Sequence, residues 1–418
     1  MKCEVLAIGT ELLLGQIVDT NSSWIGGQLA LAGIDSHYQT KVGDNQARMV
    51  ECLKLALARS DAVICCGGLG PTQDDITREA IAEVMGTRLV RRDAIAAHIR
   101  DLFEKRGREM APSNLRQADV PEGASPIPEM PGTAPGLICP IGDKVIYAVP
   151  GVPHEMRTML EGTVLPDLKR RAGVTSVIKS RILRTWGYTE SGLADLLSDH
   201  ITGLDKSGKA TLAFQASGIE GIKVRITAKG SDADSVDLIL SNEEAVLRAL
   251  IGDYIFGTDD ETMESVVLDL LRERGQSLAV AEGVTGGLLG SRLAAITGSS
   301  DVFRGSLLTD QPDVRANLLG LPADAPLITA ESAETLAAGV RNHLNVDIGL
   351  AATGNPGPSE QEGQTPGTVW LGLATADGIA SAKVMLPGDA NRIRQYAVIS
   401  LLNLLRRRLL DIRSPAVL

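Results

Sequence analysis

The densest run of reactive residue types is GGLGPTQDD, residues 67–75. Gly67, Gly68 and Gly70 let backbone N–H groups approach a ligand closely and shape an anion-binding nest. The helix expected next turns its positive end to the same place. Thr72 and Thr77 add hydroxyls, and Asp74 and Asp75 are oxygen donors suited to a hard divalent cation. Such a cation would bridge a diphosphate and polarise it toward water. No Lys follows the glycines, so the loop is not a P-loop of the GxxxxGK[ST] kind. The competing reading is that Asp74 or Asp75 merely caps the helix. A second polar cluster, GTELLLGQIVDTNS (9–22), carries Glu11, Asp19 and Asn21, with Asn21 a plausible cap for the helix after it. Glu11 alone would be a solvated loop acid; beside a second strand end it becomes part of a site. PGTAPG (131–136) and PGVPHEM (150–156) are turns fixed by proline, and His154 and Glu155 are general-base candidates.

The elements that must hold these loops alternate between strand and helix patterns. CEVLAIG (3–9), SHYQTKVGD (36–44) and DAVICCGG (61–68) read as strands, and 21–33, 47–58 and 76–86 as helices. This grammar implies a mainly parallel sheet covered on both faces, with ligands bound beyond the carboxyl ends of its strands. Both polar motifs follow strands directly. After a Pro- and Gly-rich loop (120–136), a hairpin at Gly142–Asp143 leads to a strand, a turn and a helix. From about Ser180 the pattern becomes a small βαββα unit ending near Asp253, and FGTDDET (256–262) reads as a polar connection. The last part returns to α/β grammar, with strands at SLAVAEG, DIGLAATG, GTVWLGLAT and GIASAKVML and helices at 285–298, 331–345 and 391–410. The resulting division is 1–170, 171–255 and 256–418.

Composition narrows the function classes. With 41 basic against 52 acidic residues the net charge is −11, so nothing suggests an electrostatic footprint for nucleic acid. Aromatics at 3 % argue against base-stacking platforms. The five cysteines are sparse, lack CxxC spacing and sit in apolar runs, which suits a reduced, cytoplasmic protein. Glu4 and Glu11 interrupt what would be a signal h-region, and no run of about 18 apolar residues suggests a membrane span.

Taken in order, GTELLLGQIVDTNS, GGLGPTQDDITRE, NLRQA, GTAPG, PGVPHEM, LAVAEGVTGGLLGSRL, DIGLAATGNPGP and PGTVWLGLA resemble the competence/damage-inducible protein CinA family over nearly the whole chain. The resemblance implies an α/β architecture: a three-layer N-terminal domain of the MoaB/MogA molybdopterin-binding type, a KH-like α+β middle domain and a C-terminal α/β CinA domain. It implies an ADP-ribose pyrophosphatase in the first domain, dependent on a divalent metal (Mg, Mn or Co) and needing no organic cofactor. It also implies a nicotinamide mononucleotide amidohydrolase in the last. Glu11, Asp19, Asn21, Asp74, Asp75, Asn114, Gln117, Thr133 and Glu155 fall on motif positions around the first pocket. Asp74, Asp75 and Glu11 are the expected catalytic groups and Asp19, Asp74 and Asp75 the expected metal ligands. Gly67, Gly68, Gly70 and Thr72 would bind substrate with the remainder.

The last domain departs from the family pattern where chemistry is expected. The family's AESCTGG is AEGVTGG here, placing Gly283 at the serine and Val284 at the cysteine. Its YSNEAK is DQPDVR, placing Asp310 at the tyrosine, Pro312 at the asparagine and Arg315 at the lysine. TGIAGP has become TGNPGP, and GDRE has become GDAN. The expected outcome is a kept fold with an inactive deamidase site. Two other functions stay open: a non-catalytic nucleotide- or pterin-binding protein acting through partners, and a bifunctional enzyme that retains deamidation. The apolar residues of the last helix (Ile393, Tyr396, Ala397, Ile399, Leu401, Leu404, Leu405) suit either a homodimer contact or burial on their own sheet.

Overall fold

The computed structural model describes residues 1–174 and 176–412. The chain forms two compact units, Met1–Lys179 with Lys229–Val236, and Ser180–Ala228 with Asp237–Leu418. Among the described residues no helix is long and apolar enough to cross a membrane.

The first unit is a three-layer α/β body. Its strands are β1 (Cys3–Ile8), β2 (Gln39–Val42), β3 (Ala62–Cys66), β6 (Ser125–Pro126), β7 (Leu137–Ile141) and β8 (Lys144–Val149), while β4 (Leu89–Arg91) and β5 (Asp119–Pro121) form a separate antiparallel ribbon. The sheet order is β2-β1-β3-β8-β7-β6. β2, β1, β3 and β8 run parallel, and β7 pairs antiparallel with β8 and β6. Alternation along β1 feeds two cores. Cys3 and Val5 pack with Ile25, Leu29 and Met159 on one face, and Leu6 and Ile8 with Leu53, Ile81 and Ile99 on the other. Burial on both faces explains why these strands read as unbroken apolar runs. The carboxyl ends of β1, β3 and β8 carry the three motifs GTELLLG, GGLGPTQDD and PGVPHEM.

Two local expectations are corrected. The helix Thr20–Leu31 is capped by Asp19, whose Oδ1 accepts from the Ser22 N–H at 2.9 Å, so Asn21 lies inside the first turn. The helix Asp93–Lys105, unread in the sequence, presents Ile95, Ala96 and Ile99 to the core.

The next segment of the chain has β9 (Val177–Thr185), a helix (Glu190–Ser207), β10 (Ala210–Ala216), β11 (Ile222–Gly230) and a helix (Ala233–Ile251), the expected βαββα order. Its sheet takes a fourth strand, β12 (Ile255–Thr258), antiparallel to β9. Part of FGTDDET is therefore strand, and a border at residue 255 cuts through it.

The C-terminal sheet, of β13 (Leu278–Glu282), β14 (Phe303–Leu308), β15 (Ile348–Gly354), β16 (Thr368–Thr375) and β17 (Gly378–Met385), is ordered β14-β13-β15-β16-β17. β13 is parallel to both neighbours, and β16 and β17 are antiparallel additions. β14 and the helix Pro312–Leu319 after it were not anticipated. The helix expected at 285–298 is shorter, Leu288–Ala294. The last helix, Ala390–Leu409, buries Ile393, Ala397, Ile399, Leu401 and Leu405, with Tyr396 and Leu404 packed against the same core. These apolar residues pack on the chain's own core, the second of the two arrangements expected for them. Arg406 is buried too, donating to the carbonyls of Ile255 (2.8 Å) and Asp253 (2.7 Å), so this arginine anchors the helix.

Candidate functional site

The glycine loop is built by close approach. Gly67 and Gly68 have φ of 115° and 66°, conformations that favour glycine. A Cβ on Gly67 would strike the Ile8 carbonyl, and one on Gly68 the Thr77 hydroxyl. Thr77 is fully buried; its hydroxyl donates to the Gly67 carbonyl at 2.8 Å and its N–H to Gly68 O at 3.2 Å. Arg78 lies beneath the loop. Though a full charge, it is completely buried and donates to the carbonyls of Leu69 (2.7 Å) and Gly70 (2.9 Å), with a longer reach to Asp75 O (3.4 Å). Burial lowers its guanidinium pKa, aided by Arg116. With carbonyls turned down to Arg78, the N–H groups of Gly68, Leu69 and Gly70 have no acceptor among the described residues. Three consecutive free donors at a parallel strand end form the nest expected for an anion.

Asp75 braces the loop. Its Oδ2 accepts from both the N–H (2.8 Å) and the hydroxyl of Thr72, and its carboxylate lies against Gly70. Asp74 is exposed, and hydrogen bonding by Thr72, its own backbone and the nearby Arg116 hold its carboxyl below the usual range. Neither aspartate caps the helix Thr77–Met85, whose N-cap is Ile76. Arg116 ties Thr72 O to Glu79, and Gln117 reaches Leu69 O at 3.4 Å, leaving its buried Oε1 without a partner.

The second cluster lines a cleft of about 190 Å³ bounded by Ile8, Glu11, Leu12, Ile17, Val18, Asp19, Asn21, Cys66 and Gly151, among others. Asn21 donates to Gly151 O at 2.8 Å and to the Cys66 sulfur at 3.5 Å, closing the cleft floor. Burial pushes the Cys66 thiol up to about 12, so it is no nucleophile at neutral pH. Asp19 caps its helix and pairs with Lys41 at 3.5 Å. Glu11 rests against Gly9, and its carboxylate has no hydrogen-bond partner among the described residues. Gly67 follows Cys66, and a Cβ on Gly151 would lie 3.7 Å from the Gly67 Cα, so the glycine loop begins at the edge of the cleft.

Other expected residues lie elsewhere. Asn114 folds back on Ala111 O at 3.2 Å, and Thr133 makes no side-chain hydrogen bond among the described residues. Glu155 packs against Gly132, and burial raises its carboxyl pKa. Asp19, Asp74 and Asp75 do not converge: among the described residues no three His, Cys, Asp or Glu side chains gather to hold a metal. Asp19 is engaged as a cap and Asp75 as a brace. Arg78 and Arg116 were missed, since an arginine in a helical or turn segment normally signals solvent.

In the C-terminal unit, β13 ends at Glu282, which is 1 % exposed. Its carboxylate accepts from the Thr285 hydroxyl (2.8 Å), the N–H groups of Leu289 (3.0 Å) and Gly290 (2.8 Å), and the Ser306 hydroxyl (2.5 Å). Thr285, the nearest hydroxyl to the changed motif, is thereby engaged and buried; the cap of the next helix is Gly287. A Cβ on Gly283 would lie 3.1 Å from Ala352 O and 3.5 Å from the hydroxyl of Thr309, which is fully buried and unpartnered. Arg315 is buried and donates to the carbonyls of Thr309 (3.2 Å) and Asp310 (2.9 Å), while Asp310 is exposed. Asn355 holds the TGNPGP loop through Ser359 O, Gln364 O and the Gly357 N–H.

Comparison with known proteins matches three family models: a probable molybdopterin binding domain over residues 4–170, the damage-inducible protein CinA KH domain over 180–257, and the CinA C-terminal domain over 260–409. A CinA-like protein of Frankia casuarinae is 44 % identical over 420 residues, spanning 98 % of this chain and 96 % of that protein. A putative competence-damage inducible protein of Thermoanaerobacter pseudethanolicus is 38 % identical over 418 residues, spanning 99 % and 100 %. Among solved structures, a CinA protein of Thermoplasma acidophilum is 36 % identical, with 39 % of this chain and 95 % of that one covered and a TM-score of 0.37.

Proposed function

The chain belongs to the CinA family, and we propose that its first domain hydrolyses the diphosphate of a nucleotide such as ADP-ribose. The observation that carries this reading is the row of unpaired N–H groups at Gly68, Leu69 and Gly70. Donors fixed before the ligand arrives stabilise charge on phosphoryl oxygens without reorganising. Asp75 and Arg78 act by holding that row, and Asp74, ionised and exposed, is the carboxylate placed to orient water. In the reaction, water oxygen bonds to one phosphorus, the bridging P–O bond breaks, and the products are two monophosphates.

Among the described residues no resident three-ligand metal site forms. The divalent cation expected from the sequence would therefore have to arrive with the substrate's own phosphates, a mode common for magnesium. The same observation favours a second reading, nucleotide binding without hydrolysis. One assay separates them: the purified chain incubated with ADP-ribose and magnesium, manganese or cobalt should release AMP and ribose 5-phosphate. Absence of hydrolysis of any nucleotide diphosphate under all three metals rejects the enzyme.

For the C-terminal domain we propose the loss of deamidase activity. Gly283 and Val284 provide no nucleophile, Thr285 is bonded to Glu282, and Arg315 stays protonated and faces backbone carbonyls.

A further inference from the structure

The first unit carries a second recess, of about 390 Å³, at the edge of its sheet. Ser125 on β6 and Ile138 and Pro140 on β7 line it from the sheet, and Asp167, Arg170 and Arg171 from the helix Leu165–Ala172. Pro140 pairs with Val145 near the amino end of β8, whereas the glycine loop leaves the carboxyl end of β3. Ile138 lies opposite Tyr147, which is fully buried beneath the same helix. Asp167 is buried as well, and its carboxylate accepts from the Tyr147 hydroxyl, from Arg170 Nη2 and from Arg171 Nε (2.8 Å). Burial opposes that charge, yet the hydrogen bonds from Tyr147 and Arg171 hold the carboxyl below the usual range. One carboxylate thus pins two guanidinium groups at the recess and cancels only one of their charges. Nε and Nη1 of Arg170 and both Nη groups of Arg171 have no carboxylate or carbonyl acceptor among the described residues. Glu129, the other acid at this edge, takes the Thr163 hydroxyl at 2.5 Å and does not line the recess. Basic residues in a last helical turn often do no more than face the helix's negative end. That accounts for the exposed Lys169, but not for a buried tyrosine and a buried aspartate that aim two arginines at one cavity.

We propose that this recess binds a phosphoryl group, carried by a small phosphate ester or present as free phosphate, between the forks of Arg170 and Arg171. A planar guanidinium matches two phosphate oxygens at once, and the remaining N–H groups here are already held in place by Asp167. The Ser125 hydroxyl lies in the same lining and offers one more donor. Ile138 and Pro140 supply an apolar bed for the few carbons of an ester. The volume is that of a small-molecule site. The recess is separate from the glycine loop, so the assignment does not depend on the hydrolase reading.

Glycerol 3-phosphate and inorganic phosphate are titrated calorimetrically into the full chain, as wild type, Arg170→Gln, Arg171→Lys, Ser125→Trp and Arg78→Met. Wild type should show a binding event that Arg78→Met, a change beneath the glycine loop, leaves intact. Arg170→Gln should weaken that event by about tenfold or more, the worth of one charge-assisted hydrogen bond. Arg171→Lys keeps an ion pair for Asp167 but loses the fork, and should weaken it by several-fold. Ser125→Trp fills the recess from the sheet side and should abolish it. Each variant leaves Asp167 at least two donors and Ser125 is exposed, so all should fold; circular dichroism checks this. Tighter binding of glycerol 3-phosphate identifies an ester as the ligand, and equal affinity identifies free phosphate. No binding in wild type, binding unaltered by both Arg170→Gln and Ser125→Trp, or binding lost only in Arg78→Met overturns the proposal.

Discussion

Replacing Arg78 by methionine tests whether a buried charge shapes the anion nest. Methionine keeps much of the volume and removes every donor. The guanidinium makes two short bonds, to Leu69 O (2.7 Å) and Gly70 O (2.9 Å), and a weak one at 3.4 Å. Leaving a buried carbonyl unsatisfied costs about 1–3 kcal/mol, so two give roughly 2–6 kcal/mol of local holding energy. Against this, an unpaired buried cation has a desolvation penalty of several kcal/mol, which the variant removes. Among the described residues Arg78 has no carboxylate within ion-pair distance and its Nε is unpartnered. The opposing effects leave a global stability change below about 3 kcal/mol. The local effect does not cancel: freed carbonyls can rotate, and the N–H row loses its alignment. Inorganic pyrophosphate binding, measured by calorimetry, should weaken by about tenfold or more, the worth of one charge-assisted hydrogen bond. Urea unfolding should show one cooperative transition. Arg78→Lys should recover only part, since one ammonium cannot span both carbonyls as a planar fork does. A folded Arg78→Met protein that binds pyrophosphate like wild type would refute the argument.

Asp74→Ala and Asp75→Ala should each lower ADP-ribose hydrolysis, with at least one loss on the order of a hundredfold, and Asp75→Ala should also weaken pyrophosphate binding because Thr72 is released; steady-state kinetics that match wild type for both remove these carboxylates from the mechanism. Burial raises the Glu155 carboxyl pKa, so the folded state holds that proton more tightly and stability falls as pH rises from the ordinary carboxylate range through the raised value. Glu155→Gln should flatten that part of the stability–pH curve, and a curve identical to wild type would reject the assigned burial. Wild-type protein should release no ammonia from nicotinamide mononucleotide, and Gly283→Ser alone should not restore it; release at ordinary enzyme rates, abolished by Thr285→Ala, would reverse this conclusion.

What could be read from residues alone follows from how local each feature is. Strands β1, β3 and β8 were legible because burial on both faces leaves unbroken apolar runs. The anion loop was legible because glycines between a strand and a helix have few other uses. Arg78 was not: TRE in a helix looks solvated, and only the packed loop shows carbonyls converging on it. Asp75 was given a ligand's role because chain order cannot say that Thr72 bends back to meet it. β12 was hidden by the acidic DDE that follows it, and β14 by Arg304 and Gly305 within FRGSLL. Asp19 and Asn21 are both good cap residues, and their competition was settled by Asn21 reaching Gly151, 130 positions away.

The changed C-terminal motif also has a structural logic. A carboxylate buried like Glu282 is tolerated only when its lone pairs are filled, and Thr285, Ser306 and two backbone N–H groups fill them. This network fastens the end of β13 to the helix Leu288–Ala294 and to β14, so it holds the fold whether or not chemistry occurs there. Thr285, which follows Val284, belongs to this fastening through its hydroxyl, whereas Gly283 and Val284 donate nothing to it. Gly283 leaves the buried Thr309 hydroxyl without a partner, a cost that a serine at 283 is positioned to relieve. Arg315 points its guanidinium at the Thr309 and Asp310 carbonyls and so holds that loop. Arg315 and Asn355 thus hold backbone carbonyls, whereas Gly283 and Val284 carry no reactive group, and Gly283 does so at the cost of an unpartnered hydroxyl.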